Sequence, residues 1–455
     1  MSKDLGVNAL ATWQERYPEK FADLDPIFSH IRRGDRIFVA SGCGEPQYLV
    51  QALTNFVETH PKAFFDAEII HVYSFGIAPY TNAKFKRNFR HNSFFIGNNT
   101  RDPVNAGAAD YTPISLSDVP ALLYRGLIRI DVALVQTSPP DEHGYMSLGV
   151  SVDMVKAATE VSKLIIAQVN HEMPRIHGDG FIHIDDVNFI VPHDEPLLEV
   201  SGKTPSGVSD RIGNFVARLI QDGDTIQVGF GSLPNAIMAN LYGKKHLGVH
   251  TELLSDGLVD LIKAGVIDNS RKTLGRGKTV AAFAMGKRET YRFLHDNPSV
   301  LFRTIDFTNN PMNIARLDNI VAIKEASGDL EQISVICAGA PEGFTVYSGE
   351  DMLTLPMLAV GCVGVISVAS HLAGKQIAEM IRQFQAGDVA AAARTHQSLI
   401  PIVKACFLAS GNPPCVKRGL EIIGFPVGGL RLPLVPASDS DAAIIRQACE
   451  GLGLV

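Results

Sequence analysis

Cysteine is scarce in this chain. The 455 residues hold six, at positions 43, 337, 362, 406, 415 and 449. None forms a C-x-x-C pair and no Cys/His spacing suits zinc, so neither a disulfide framework nor a metal site is expected. The thiols read as small apolar residues in a reducing compartment, and a cytoplasmic location is expected. No unbroken apolar run reaches about 18 residues, which excludes an apolar membrane-spanning helix. The first 25 residues are polar and amphipathic and lack the apolar core of a secretory signal. Basic residues are not in excess: 41 Lys and Arg stand against 48 Asp and Glu, for a net charge of -7. With no basic stripe, nucleic acid is not expected as a partner.

What is present is apolar and alternating. Hydrophobic residues make up 46% and charged residues 20% of the chain, enough to bury a large core. The length suggests about three domains or lobes. Short β-branched runs recur between helical patterns: RIFVAS (36–41), EIIHVYSF (68–75), DVALVQTS (131–138), KLIIAQV (163–169), TIQVGF (225–230), NIVAIKEA (319–326), FTVYSG (344–349) and GVISVA (364–369). Each is continuously apolar, as expected of strands buried on both faces of a parallel sheet. The fold class is therefore α/β.

One unit occurs twice. Gly34-Asp35-x-Ile37-x-Val39 leads into Gly42-x-Gly44-x-Pro46 and a helix carrying Leu49 and Leu53. Gly223-Asp224-x-Ile226-x-Val228 leads into Gly229-x-Gly231-x-x-Pro234 and a helix carrying Ile237 and Leu241, an offset of 189 residues (223 minus 34). Two related lobes are the simplest explanation, joined by the Ser/Gly/Pro-rich stretch 198–212.

Five stretches, in order, resemble the acetyl-CoA hydrolase/transferase family, the group that includes 4-hydroxybutyrate CoA-transferase. They are SGCGEP (41–46), TSPPDEHGYMSLGVSVD (137–153), VGFGSLPNA (228–236), LGVHTELLSDGLVDLIKAGVI (247–267) and FTNNPMNIARLDNIVAI (307–323). The resemblance covers about 10–323 and implies coenzyme A as substrate, with an acyl-CoA and a small carboxylic acid as partners. It implies no permanently bound cofactor. It places the nucleophile at Glu252, in His250-Thr251-Glu252. The chemistry needs a carboxylate, which alone serves as both acceptor and leaving group in a symmetric anhydride–thioester exchange. Gly229, Gly231 and Ser232, with Gly42 and Gly44, are candidates for lining the coenzyme A site, since glycine lets backbone N–H groups approach a developing oxyanion. Asp141, Glu142 and His143 read as a capped loop, and Cys43 has no identifiable base.

The pattern then changes. NIVAIKEASGDLEQIS (319–334), VYSGEDMLTLPMLAVGCVGVISVASH (346–371) and GNPPCVKRGLEIIGFPVGGLRLPLVP (411–436) resemble the C-terminal half of dihydrodipicolinate synthase (4-hydroxy-tetrahydrodipicolinate synthase), a (β/α)8-barrel lyase. That resemblance implies a Schiff base between Lys324 and pyruvate, with Gly349 and Ile366 lining the pyruvate site. A lysine buried in an apolar barrel has its amine freed by desolvation. The first half of that barrel has no counterpart, and the CoA-transferase loop Gly-x-Gly-Gly-Gln, which helps form the oxyanion hole, is missing as well. The two patterns meet inside Asn319–Ile323, a short string that both families share.

The expected architecture is a CoA-transferase lobe over 1–205, a second, truncated lobe over 206–322, and half of a (β/α)8 barrel over 323–455. The expected activity is coenzyme A transfer through a glutamyl-CoA thioester, weakened by the chimeric C-terminus. The alternatives are a Schiff-base lyase and an inactive chimera. Half a barrel leaves strand edges unpaired, so a homo-oligomer is a further expectation.

Overall fold

The computed structural model describes residues 3–200 and 207–455. The chain forms two compact units, Met1–Asn313 and Ile314–Val455.

The first lobe of the first unit contains β1 (Arg36–Val39), β2 (Ala67–Tyr73), β3 (Phe89–Phe95), β4 (Asp110–Tyr111), β5 (Val132–Thr137), β6 (Tyr145–Ser147), β7 (Leu164–Val169), β8 (Phe181–His183) and β9 (Phe189–Pro192). Seven of these make a parallel sheet in the order β4-β3-β2-β1-β5-β7-β9, while β6 and β8 pair antiparallel. The apolar runs become its central strands, and β5 is buried at all six positions. β3 has no such run. Its Phe-Arg-His-Asn-Ser-Phe-Phe sequence hides a strand because His91, Asn92 and Ser93 are buried although polar. They find partners inside: His91 Nε2 lies 2.8 Å from Ser93 Oγ, and Thr112 Oγ1 donates to Asn92 Oδ1 at 3.0 Å.

The second lobe contains β10 (Thr225–Ile226), β11 (Gly248–Val249), β12 (Leu253–Ser255), β13 (Thr279–Ala281), β14 (Phe283–Met285) and β15 (Val300–Phe302). They pair in parallel as β10-β11, β12-β14 and β13-β15. The internal repeat survives as hydrogen bonds. Gly34 and Gly223 both adopt left-handed backbone, with φ of 76° and 93°. Asp35 Oδ2 accepts from Arg32 N at 2.8 Å, and Asp224 Oδ2 accepts from Gln221 N at 2.7 Å. The Asp35 carbonyl accepts from Glu68 N at 2.9 Å and the Asp224 carbonyl from Gly248 N at 2.8 Å. The same turn therefore launches the first strand of each lobe.

Two expectations change. The linking stretch was placed at 198–212, but Gly207–Leu219 is a helix, so its last part is not a linker; 201–206 lie outside the described residues. The run TIQVGF yields only a two-residue strand, because Val228 leaves the ladder to bond a threonine side chain.

The second unit is built on a parallel sheet of β16 (Ala322–Glu325), β17 (Thr345–Ser348) and β18 (Gly364–Val365), in that order. One face packs Ile323 and Val346 against Ile333, Ile336 and Met357. Lys324 and Tyr347 pair across the other face, where Lys324 and Ile366 are exposed. Helices Ser370–Gln385, Val389–Ala405, Pro414–Ile422 and Asp439–Gly451 form a second apolar cluster. The Ala-rich stretch 385–396 is broken at Gly387, with φ of 84°, before Asp388 caps the next helix.

Candidate functional site

The turn between β11 and β12 carries His250-Thr251-Glu252, and each residue points to a different task. The Thr251 hydroxyl donates to the Val228 carbonyl at 3.0 Å and accepts from Val228 N at 3.1 Å. This two-way clamp fixes the start of the glycine loop Gly229–Gly231. His250 Nε2 donates to the Thr308 carbonyl at 3.0 Å. Burial holds its imidazole neutral, pushing its pKa down to about 4. Glu252 is half-buried, and its Oε2 accepts from Asn309 Nδ2 at 2.6 Å. The loop that supplies Asn309 is held from several sides. Arg303 pairs with Asp179 at 2.6 Å and lies 3.9 Å above the Phe307 ring, while Ile305 N donates to the Asp153 carbonyl at 3.1 Å. His250 and this loop together set the direction of the Glu252 carboxylate.

Glu252 opens into a cavity of about 240 Å³ inside the first unit. Ser41, Gly42, Tyr73, Phe95 and Asp153 from the first lobe face Gly229, Phe230, Leu253, Phe283 and Met285 from the second. The lining is mainly apolar, which suits an acyl chain and disfavours water near an anhydride. Asp153 is the second carboxyl in this wall. Its Oδ1 accepts from Met154 N at 2.7 Å and Val155 N at 3.2 Å. Burial raises its pKa to about 7 despite those donors, and the nearby Glu252 charge adds to the rise.

The candidate residues divide between the two units. Glu252, Gly42 and Gly229 line one cavity. Gly231 has φ of 133° and precedes Ser232, the first residue of the helix Ser232–Ala239. Gly44 packs against Ser151, whose hydroxyl donates to the Ser41 carbonyl at 2.6 Å. Cys43 is buried and its thiol pushed up to about 12, which removes it as a nucleophile. Asp141 does cap a loop, accepting from His143 N and Tyr145 N at 2.9 Å each.

In the second unit Lys324 and Gly349 are neighbours: a Cβ on Gly349 would lie 2.6 Å from Lys324 Cε. The expectation that Lys324 is buried is corrected. It is exposed, because among the described residues the sheet it stands on has three strands, β16, β17 and β18, and does not close on itself. Asp153, Asn309 and Ser41 are site residues that the sequence reading did not select. Each lay inside a quoted motif, but nothing in the string says which motif residue turns inwards. Among the described residues no group of His, Cys, Asp and Glu could hold a metal ion, and no helix is long and apolar enough to cross a membrane.

Comparison with known proteins bears on both units. A model of the acetyl-CoA hydrolase/transferase N-terminal domain matches residues 8–200, and a model of the dihydrodipicolinate synthetase family matches 295–450. The two matches lie on either side of 201–294 and are consistent with a fusion. The 4-hydroxybutyrate coenzyme A transferase of Clostridium kluyveri is 40% identical over 366 residues, covering 80% of this chain and 84% of its own. RipA from Yersinia pestis superposes with a TM-score of 0.64 at 30% identity, covering 74% of this chain and 82% of its own. The 4-hydroxy-tetrahydrodipicolinate synthase of Heliobacterium modesticaldum is 52% identical over 147 residues, and the chain spans 49% of that relative's length.

Proposed function

Because the chain belongs to the acetyl-CoA hydrolase/transferase family, we propose that it moves coenzyme A from an acyl-CoA to a small carboxylate, with Glu252 as the nucleophile. The observation that carries this reading is Glu252 on the wall of a mainly apolar cavity, bonded to Asn309 at 2.6 Å. The Glu252 carboxylate attacks the thioester carbonyl, giving a mixed anhydride and the coenzyme A thiolate. The thiolate attacks the glutamyl carbonyl and expels the donor acid, leaving a glutamyl-CoA thioester. The acceptor carboxylate attacks this thioester and releases the thiolate again. Thiolate attack on the second anhydride yields the new acyl-CoA and free Glu252.

The clamp between Thr251 and Val228 supports the glycine loop as the donor of backbone N–H groups, with Gly229 nearest the cavity. Coenzyme A is substrate here. We read 1–205 and 206–322 as the two lobes of the transferase, the second truncated, and 323–455 as half a barrel. The second lobe's Gly-x-Gly-Gly-Gln loop is missing, and loss of one such donor costs roughly 100–1000-fold in turnover.

The test is to trap the thioester. After incubation with acetyl-CoA, borohydride reduces a glutamyl thioester to a primary alcohol, and peptide mass spectrometry finds the change at position 252. A chemically unchanged Glu252 peptide refutes the reading.

The lyase alternative makes a separate expectation. Lys324 is exposed on a sheet of three strands among the described residues. Pyruvate with borohydride is expected to leave Lys324 no more modified than other exposed lysines. Selective mass addition at Lys324 would establish the lyase site instead.

A further inference from the structure

Glu252 is not the only carboxyl of the cavity. Asp153 stands in the same wall, 4% exposed, and is tied to both lobes: its N–H donates to the Ala282 carbonyl at 3.1 Å and its carbonyl accepts from Ile305 N at 3.1 Å. Its Oδ1 takes the two N–H groups that open the helix Val155–Val161. The side chain is therefore fixed in place, and the site has a built second carboxyl that the exchange chemistry does not call for.

The charge count gives it a task. The acceptor acid brings its carboxylate into a mainly apolar space of about 240 Å³ while Glu252 is held as the neutral thioester. That carboxylate and an ionised Asp153 in such a place repel strongly, and a shared proton is the usual resolution. The acceptor has to be ionised to attack the thioester. Asp153 is the group left to keep the proton. No cation acts on the Asp153 carboxyl itself. Arg303 is engaged by Asp179, Arg101 acts on Tyr73, which burial keeps neutral, and Asp306 is exposed. Burial is the largest cause of the Asp153 rise, and the Glu252 charge adds to it only while Glu252 is ionised.

Resting on the CoA-transferase reading of this cavity, we propose that Asp153 is an acceptor-binding residue: as a neutral acid it donates a hydrogen bond to the incoming carboxylate, and as an anion it excludes that carboxylate. No bond is made or broken at Asp153; its proton stays on the carboxyl while the acceptor is bound.

The proposal sets a pH dependence with a defined sign. Asp153 is neutral below its pKa of about 7, so acceptor affinity is highest there and falls as pH rises through it. The KM for acetate as acceptor is expected to rise about tenfold per pH unit above about 7, while the KM for the acyl-CoA stays level. In Asp153→Asn, which keeps a donor and an acceptor but cannot ionise, the acetate KM is expected to be flat over the same range. An unchanged slope in Asp153→Asn overturns the proposal.

A second measurement needs no turnover. Calorimetry of acetate binding to the Glu252→Gln chain, whose neutral amide stands in for the thioester, in buffers of different ionisation enthalpy, should find uptake of close to one proton at about pH 8 and none at about pH 6. Acetate binding without proton uptake at the higher pH overturns the proposal, as does no acetate binding at either pH. Failure to trap a thioester at Glu252 counts against the transferase reading, and the calorimetric result then decides on Asp153 by itself.

Discussion

Glu252→Ala is expected to abolish coenzyme A transfer, lowering the rate at least about 1000-fold, while the fold stays intact. The prediction separates chemistry from stability for a structural reason. The Glu252 side chain makes one hydrogen bond, to Asn309, but its main-chain carbonyl accepts from Ala282 N at 2.9 Å and Phe283 N at 3.2 Å. The substitution keeps those backbone bonds and removes only a half-buried carboxylate, so the unfolding free energy should move by about 0.5 kcal/mol or less. Glu252→Asp keeps the charge but withdraws it by one methylene from Asn309, and is expected to be nearly as damaged. The measurement is transfer from a short acyl-CoA to acetate, followed by separation of the two CoA esters. It has to be sensitive, because this chain carries no Gly-x-Gly-Gly-Gln loop and a low starting rate is expected. Retention of more than about a tenth of the starting rate in Glu252→Ala would end the account of Glu252 as nucleophile.

The reasons some of this was legible in the sequence, and some not, are physical. The strands β1, β2, β5 and β7 could be read because a parallel sheet covered on both faces demands unbroken apolar runs. The lobe repeat could be read because a left-handed glycine followed by an aspartate that caps its own turn leaves a fixed trace at 34–35 and 223–224. β3 was hidden, since burial of His91, Asn92 and Ser93 depends on partners that only folding assembles. At the site, Glu252 was marked by its motif. The turning of Asp153 and Asn309 towards it comes from the crossing of three chain segments more than fifty residues apart, which no local pattern records. Lys324 illustrates the opposite error. Its motif resembles one from a closed barrel, while among the described residues its sheet has three strands, so its exposure is set by the extent of the sheet and not by anything near Lys324 itself.

Acid is expected to unfold the first unit through the buried histidines. His71, His91 and His250 are all 2% exposed or less. The Nδ1 atoms of all three have no hydrogen-bond partner among the described residues. His71 and His91 sit edge to face, 5.5 Å apart, and Tyr80 bonds His71 Nε2 at 2.5 Å. Desolvation pushes His91 and His250 down to about 4 and His71 down as well. The neutral rings therefore favour the fold fully above about pH 6.5, and that contribution is lost as pH falls from about 6.5 towards about 4. For His91 and His250 it amounts to roughly 3 kcal/mol each at the acid end. Two buried carboxyls act with the opposite sign. Burial raises Glu45 to about 8 and Asp153 to about 7, so they cost stability as pH climbs from their ordinary range to those values. Three histidines against two carboxyls leave the unfolded chain binding about one extra proton below about pH 6.5; above it the carboxyls are opposed by Lys272, whose amine burial pushes down to about 7, and the two effects offset. Stability is therefore expected to level off near about pH 6.5 and to drop by roughly 3 kcal/mol from there to about pH 4.5, a large share of a typical domain's 5–15 kcal/mol. Urea unfolding at a series of pH values measures the slope, and His91→Gln, which cannot titrate, should remove close to one proton from it. Stability that stays level or rises between about pH 6.5 and about pH 4.5 would show that the buried rings are not what makes this unit acid-labile.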